Sequence, residues 1–195
     1  MMPSVKVLLA FVVVFVINAE PAVAVQRHFV GVSPRFVAGG GVYGVRADHW
    51  TQGVLPSGGF FVSYRFQANA EVAVGARVGR WFLRLADTGW AASGDRFLAT
   101  VEWAWKKEQD WSLFVVGGLG PSMVWTHESH SHYVAMGPAV SANLGYRRWF
   151  GNVGMVVEFG GEADWTIAIS GLTDAYRKHH VSGVFWLGIG VEMRF

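Results

Sequence analysis

The sequence predicts an all-β protein, an eight-stranded antiparallel up-and-down β-barrel that crosses a membrane. Three observations predict it. The chain is 52% hydrophobic, yet after residue 24 no stretch is long and apolar enough for a spanning helix. Segments in which apolar and polar residues alternate recur along the chain. The connections between those segments are alternately short and long. In lipid every backbone polar group needs a partner inside the protein, so an apolar chain without spanning helices has one spanning solution, a closed barrel.

The 195 residues divide into an export segment and one domain. "MMPSVKVLLAFVVVFVINAEPAVA" holds Lys6, an apolar run from Val7 to Ile17 and a small-residue site at Ala22-Val23-Ala24. That is the layout of a secretory signal peptide, and the run falls short of the roughly 20 residues a spanning helix needs. The expected division is a signal peptide over 1–24 and a barrel domain over 25–195. Val25–Pro34 fits either the start of the first strand or a lead-in to it.

The strands follow in order. "RFVAGGGVYGVRAD" is glycine-rich and alternates weakly. In "GGFFVSYRFQ", Phe60, Val62, Tyr64 and Phe66 oppose Ser63, Arg65 and Gln67. After "QANA", Val72, Val74, Ala76 and Val78 oppose Glu71, Ala73, Gly75 and Arg77. Phe97, Ala99, Val101, Trp103 and Trp105 then oppose Arg96, Thr100 and Glu102. "WSLFVVGGLGPSMVW" is again glycine-rich. Val140, Ala142, Leu144 and Tyr146 oppose Ser141, Asn143 and Arg147, and Val153, Met155, Val157 and Phe159 oppose Gly154, Glu158 and Glu162. In the last segment every second residue from Val181 to Phe195 forms one face, opposite Trp186, Gly188, Gly190, Glu192 and Arg194.

Short links are expected near Gln67–Ala70, Lys106–Asp110 and Trp149–Asn152, and long ones near Asp48–Ser57, Asp87–Gly94, Thr126–Met136 and Trp165–Arg177. Their strict interleaving fits a barrel with both termini on the periplasmic side. Aromatic residues sort with them. Trp103, Trp105, Trp111, Trp149 and Phe150 lie near the short turns, and Trp50, Trp81, Trp90, Trp125 and Trp165 near the long ones. Two belts are expected because an indole is apolar but keeps one N–H for the headgroup region.

The inward face should carry Arg65, Glu71, Arg77, Arg96, Glu102, Arg147, Glu158, Glu162, Glu192 and Arg194. Buried charges must pair, and eight strands leave a bore that side chains fill. A plugged network is therefore expected over a conducting pore. Inward glycines such as Gly75, Gly145, Gly188 and Gly190 make room for the larger side chains. With no cysteine, disulfides and thiolate metal sites are excluded. The net charge of +2, with no Lys/Arg run, gives no reason to expect nucleic acid.

These residues resemble the small outer-membrane β-barrels of Gram-negative bacteria, the OmpA-like and OmpX/Ail-like superfamily. The resemblance spans the barrel domain and rests on "GGFFVSYRF" with "AEVAVGARVG", on "LFVVGGLGPSMVW" and on the final "GIGVEMRF". It implies location in the outer membrane among its lipid and lipopolysaccharide. It also implies that Ile189, Val191, Met193 and Phe195 form the signal read by the barrel-assembly machinery. A monomer is expected, meeting any extracellular ligand through the long loops.

Enzyme chemistry has one candidate stretch, "THESHSHY". His127, His130 and His132 with Glu128 are residue types that bind zinc or copper. Their spacing matches no structural metal site, and loops rarely preorganise ligands, so no metal or cofactor is expected. The same stretch holds Ser129 and Ser131 beside histidine. Lipid A-modifying barrels carry such a pair on a strand in a His-x-Ser-Asn setting, which is missing here. The expected role is thus non-catalytic, structural or surface-interacting; a lipid A-modifying enzyme and a small pore are the alternatives.

Overall fold

Alternation carries the chain into strands wherever one face meets an apolar surround and the other a polar one. A computed structural model describes residues 27–45, 50–85, 91–107, 110–128, 131–170 and 179–195. They form β1 (His28–Val45), β2 (Trp50–Gln67), β3 (Val72–Leu85), β4 (Ala91–Lys107), β5 (Trp111–Glu128), β6 (Ser131–Phe150), β7 (Val153–Ser170) and β8 (His179–Arg194). Each strand pairs antiparallel with its sequence neighbours, and β8 pairs with β1 to close the barrel. The predicted signal peptide lies outside the described residues. Strand β1 begins at His28, so most of the stretch left open in the sequence is strand.

The pairing is staggered. Phe29 pairs with Arg65, and the row continues through Gly75, Thr100, Gly118, Ser141, Glu162 and Val184. It returns to β1 at Gly40 instead of Phe29. That offset is the tilt a closed barrel requires.

The outside is apolar. Phe60, Phe97, Val140, Phe159, Leu187 and their neighbours stand about half exposed all round the wall. Soluble monomers rarely expose apolar patches beyond a few hundred Å²; here such a surface encircles the molecule and suits hydrocarbon. Among the described residues no helix is long and apolar enough to cross a membrane.

Two expectations are corrected. Trp81 and Trp149 are not belt residues: they are 0% and 9% exposed and point inward. They share strand parity with Arg77 and Arg147, and on a strand parity outranks closeness to an end. Trp103, Trp105, Phe150 and Trp165 do face outward, while the side chains of Trp50 and Trp90 lie outside the described residues.

The second correction concerns the long connections. The short-turn end matches, with connections at 68–71, 108–110 and 151–152. At the other end the strands run on, leaving 46–49, 86–90, 129–130 and 171–178. The stretch around Thr126–Met136 is a paired extension of β5 and β6, with His127 opposite His132 and Glu128 opposite Ser131. Strand β6 has 20 residues, against the roughly 9–11 a tilted strand needs to span. The wall therefore continues beyond the apolar band.

Candidate functional site in the charged lumen

Inward-facing residues meet at the barrel axis in three groups. Near the short-turn end, Arg65 pairs with Glu102 and donates to Glu192 at 2.6 Å. Arg147 donates from Nε to the same Glu192 oxygen at 2.6 Å and forks onto both Glu102 oxygens at 2.9 Å. The bidentate fork fits the planar guanidinium. Its carbon also lies 4.2 Å from the centre of the Phe114 ring.

Midway, Arg35 donates to Glu162 at 2.8 Å and to Glu158 at 3.3 Å. Its guanidinium carbon lies 3.5 Å from the Trp186 ring centre and 4.0 Å from that of Phe61. Arg77 donates to the other Glu158 oxygen at 2.8 Å, and Asn143 donates to that same oxygen at 3.1 Å. The Trp81 indole N–H donates to Glu162 at 2.6 Å. Toward the far end, Arg96 pairs with Asp164, which also accepts from Ser182 at 2.6 Å and Ser122 at 3.3 Å.

Among the described residues the buried charges balance. Arg35, Arg65, Arg77, Arg96 and Arg147 stand against Glu102, Glu158, Glu162, Asp164 and Glu192, each 7% exposed or less. Unpaired ions here would cost several kcal/mol each after desolvation. Alternating signs around the axis remove that cost and fill the bore.

Of the sequence-predicted inward residues, Arg65, Arg77, Arg96, Glu102, Arg147, Glu158, Glu162 and Glu192 join this network. Glu71 and Arg194 do not. Glu71 is exposed and accepts from the Trp103 indole at 3.3 Å. Arg194 is half-buried, with its guanidinium 4.8 Å from the Trp149 ring centre. Both line a cavity of about 100 Å³ at the short-turn mouth, together with Arg27 and Ser112. Their parity is inward, but they fall at the rim, outside the buried network.

Arg35 and Asp164 are members that the sequence reading missed. Asp164 keeps the parity of Glu158 and Glu162, which would have marked it. Arg35 precedes a register shift between Val37 and Gly39, which blurs the alternation of β1. The predicted inward glycines do make room. A Cβ on Gly145 would meet the Phe114 ring, one on Gly75 the β2 backbone at Tyr64, and one on Gly188 the Ser33, Arg35 and Trp186 side chains. On Gly190 it would meet the Val32 carbonyl oxygen at 2.9 Å.

The side chains of His127, His130 and His132 lie outside those described, as do those of Glu128, Ser129 and Ser131. Among the described residues no group of His, Cys, Asp and Glu could hold a metal ion. Ile189, Val191, Met193 and Phe195 all face outward and are about half exposed or more.

A closed wall that is apolar outside and charged inside defines a small membrane-spanning β-barrel, and solved structures bear out the class. Neisserial surface protein A matches with TM-score 0.57 at 9% identity, covering 86% of this chain and 97% of that one. Ail, the attachment invasion locus protein of Yersinia pestis, matches with TM-score 0.50 at 14% identity, covering 87% and 99%. The outer membrane protease OmpT of Escherichia coli matches with TM-score 0.50 at 7% identity, covering 87% and 97%. The chain therefore has the fold of the small outer-membrane β-barrels. No family model matches it, and a search of curated proteins finds no relative.

Proposed function

We propose that the protein is a non-catalytic barrel of the bacterial outer membrane, exported by the signal peptide over 1–24. It acts as a closed monomeric mount whose wall beyond the membrane presents an interaction surface. The observation that carries this reading is the lumen. Its charges are matched in number, paired across the axis and interleaved with Phe61, Phe114 and Trp186. Such an interior gives rigidity and opens no path for ions. The described hydroxyls nearest a carboxylate, Ser122 and Ser182, both bond to Asp164 without a histidine, which is no nucleophile–base pair. The protruding strand pairs replace most of what the sequence suggested as loops, so the interaction surface is largely sheet edge and hairpin.

On this reading the short-turn end faces the periplasm. Ile189, Val191, Met193 and Phe195 form one outward stripe that the barrel-assembly machinery can read before the wall closes.

Three measurements test the proposal. Planar bilayers holding the purified protein should show no steady unit conductance, and a reproducible open step would replace the mount with a pore. Mass spectra of lipid A from cells with and without the protein should coincide; altered acylation would make it an enzyme. The protein should fractionate with the outer membrane and migrate differently on gels before and after heating, whereas a soluble periplasmic location would sink the reading.

A further inference from the structure

The apolar outside is not of even height. Outward residues of β3 are apolar from Val72 to Val78, and charge then enters at Arg80 and Arg84, on either side of Phe82. Arg80 forks onto Asp95 of β4, Nε to Oδ1 at 2.6 Å and Nη2 to Oδ2 at 2.8 Å, with its side chain 43% exposed. On β7 every outward residue from Val153 to Ile169 is apolar or glycine. That run outlasts the roughly 9–11 residues a tilted strand needs to span. At its far end Trp165, Ile167 and Ile169 are 50%, 44% and 60% exposed.

The pairing sets these features at different heights. One row links Arg80, Asp95, Met123, Met136 and Ile167 across neighbouring strands. Rows climb from β1 toward β8, because the one leaving Phe29 returns at Gly40, farther from the short turns. Ile167 therefore stands higher above the short turns than Arg80. The climb from β3 to β7 is half of the offset between Phe29 and Gly40, which exceeds the two-residue step from Arg80 to Phe82. Ile167 thus stands above Phe82 as well. Strand β7 is four strands from β3 either way round the ring, so the tall and short sides of the apolar band face opposite ways.

We infer that the barrel leans in the membrane toward β7, so that outer-leaflet hydrocarbon covers Met136, Trp165, Ile167 and Ile169. An oblique band leaves least apolar surface in water when its plane is brought parallel to the bilayer. Hydrocarbon is the occupant the structure favours, because this crest continues the lipid-facing wall of β7 without a charged break. The same lean lifts Arg80 and Asp95 toward headgroups and water, where an open ion pair costs little. It also tips the protruding β5–β6 pair toward the membrane surface and turns the rim over β3 up to an approaching partner. The inference rests on the outer-membrane reading and gives its interaction surface a direction.

The chain has no cysteine, so a spin label on one introduced cysteine reports a single site. Phe82→Cys, Ile167→Cys and Val157→Cys are each made in the full barrel and refolded into phosphatidylcholine vesicles. Each label is read by its collisions with oxygen, which concentrates in hydrocarbon, and with a water-soluble nickel chelate. An upright barrel sets the Phe82 site deeper than the Ile167 site. The lean reverses that order, with the Ile167 label favouring oxygen and the Phe82 label favouring nickel. A Phe82 label as deep as the Ile167 label, or deeper, overturns the inference. So does an Ile167 label shielded from both reagents, since protein would then cover the crest. Adding Ile167→Asn and Ile169→Asn to Phe82→Cys shortens the tall side and should let the Phe82 label sink; an unmoved label also overturns the lean. The Val157 label, on the middle of the wall, reports on the parent reading, and nickel contact there sinks the membrane location itself. The heat-shifted gel band shows that each variant is folded.

Discussion

Glu102 accepts hydrogen bonds from Arg65 and Arg147, and Glu192 accepts from the same two arginines. Converting Glu102 to Gln keeps the volume but leaves two cations to share one carboxylate. Removing one partner of a buried ionic group costs about 3–5 kcal/mol. Glu102→Gln should therefore lower the urea midpoint of the protein in lipid vesicles by an amount corresponding to that range. Glu71→Gln, at the wet mouth, should shift it by no more than about 0.5 kcal/mol. An equal shift in both would show that the rim and the lumen are not distinct. At this scale most of the network was legible because one alternating pattern assigns every side chain to a face. It missed Arg35, at the start of a glycine-rich segment whose register shifts just beyond it, between Val37 and Gly39, and Asp164, just past the segment read as strand. It also over-reached at Glu71 and Arg194, since parity gives a side chain's direction and not its depth.

Between neighbouring strands four interior aromatics sit on glycines. Phe61 pairs with Gly79, Trp81 with Gly59, Phe114 with Gly145 and Trp149 with Gly154. In each case a Cβ on the glycine would run into the ring. The ring covers a backbone that glycine alone would leave bare, and the missing side chain gives the ring its place. Gly145→Ala should cost about 1–3 kcal/mol, the usual price of overpacking, in vesicle unfolding. Adding Phe114→Leu should recover part of that loss through their coupling. Gly117→Ala, with nothing within 4 Å of its new Cβ, should leave the midpoint unchanged. The β6–β7 turn needs glycine for another reason: Gly151 has φ +62°, so Gly151→Ala should cost about 1–2 kcal/mol. The order and faces of the strands were legible in the chain, but their far ends were not. Beyond the membrane both faces of a strand can be polar, so alternation stops while hydrogen bonding continues, as in β5 and β6.

Every strand of the barrel pairs with its sequence neighbours, apart from the junction of β1 with β8. That junction brings the ends of the described chain side by side: Phe195 N–H donates to His28 C=O at 2.9 Å, and His28 N–H donates back at 3.4 Å. Deleting Phe195 removes this last pair and the end of the outward stripe. The expected result is less heat-modifiable protein in the outer membrane with signal processing unchanged. Undiminished insertion would count against Phe195 as part of an assembly address. The same adjacency makes the barrel a ring in which no strand is first by necessity. Termini this close permit circular permutation, and exposed turns tolerate a cut. A chain with a short linker joining 195 to 28 and opened at Gly151–Asn152 has the same cyclic order of strands. It would begin at β7 and end on β6, at "YRRWFG". If it refolds in detergent but fails to insert in cells, the wall is indifferent to chain order and the address is positional.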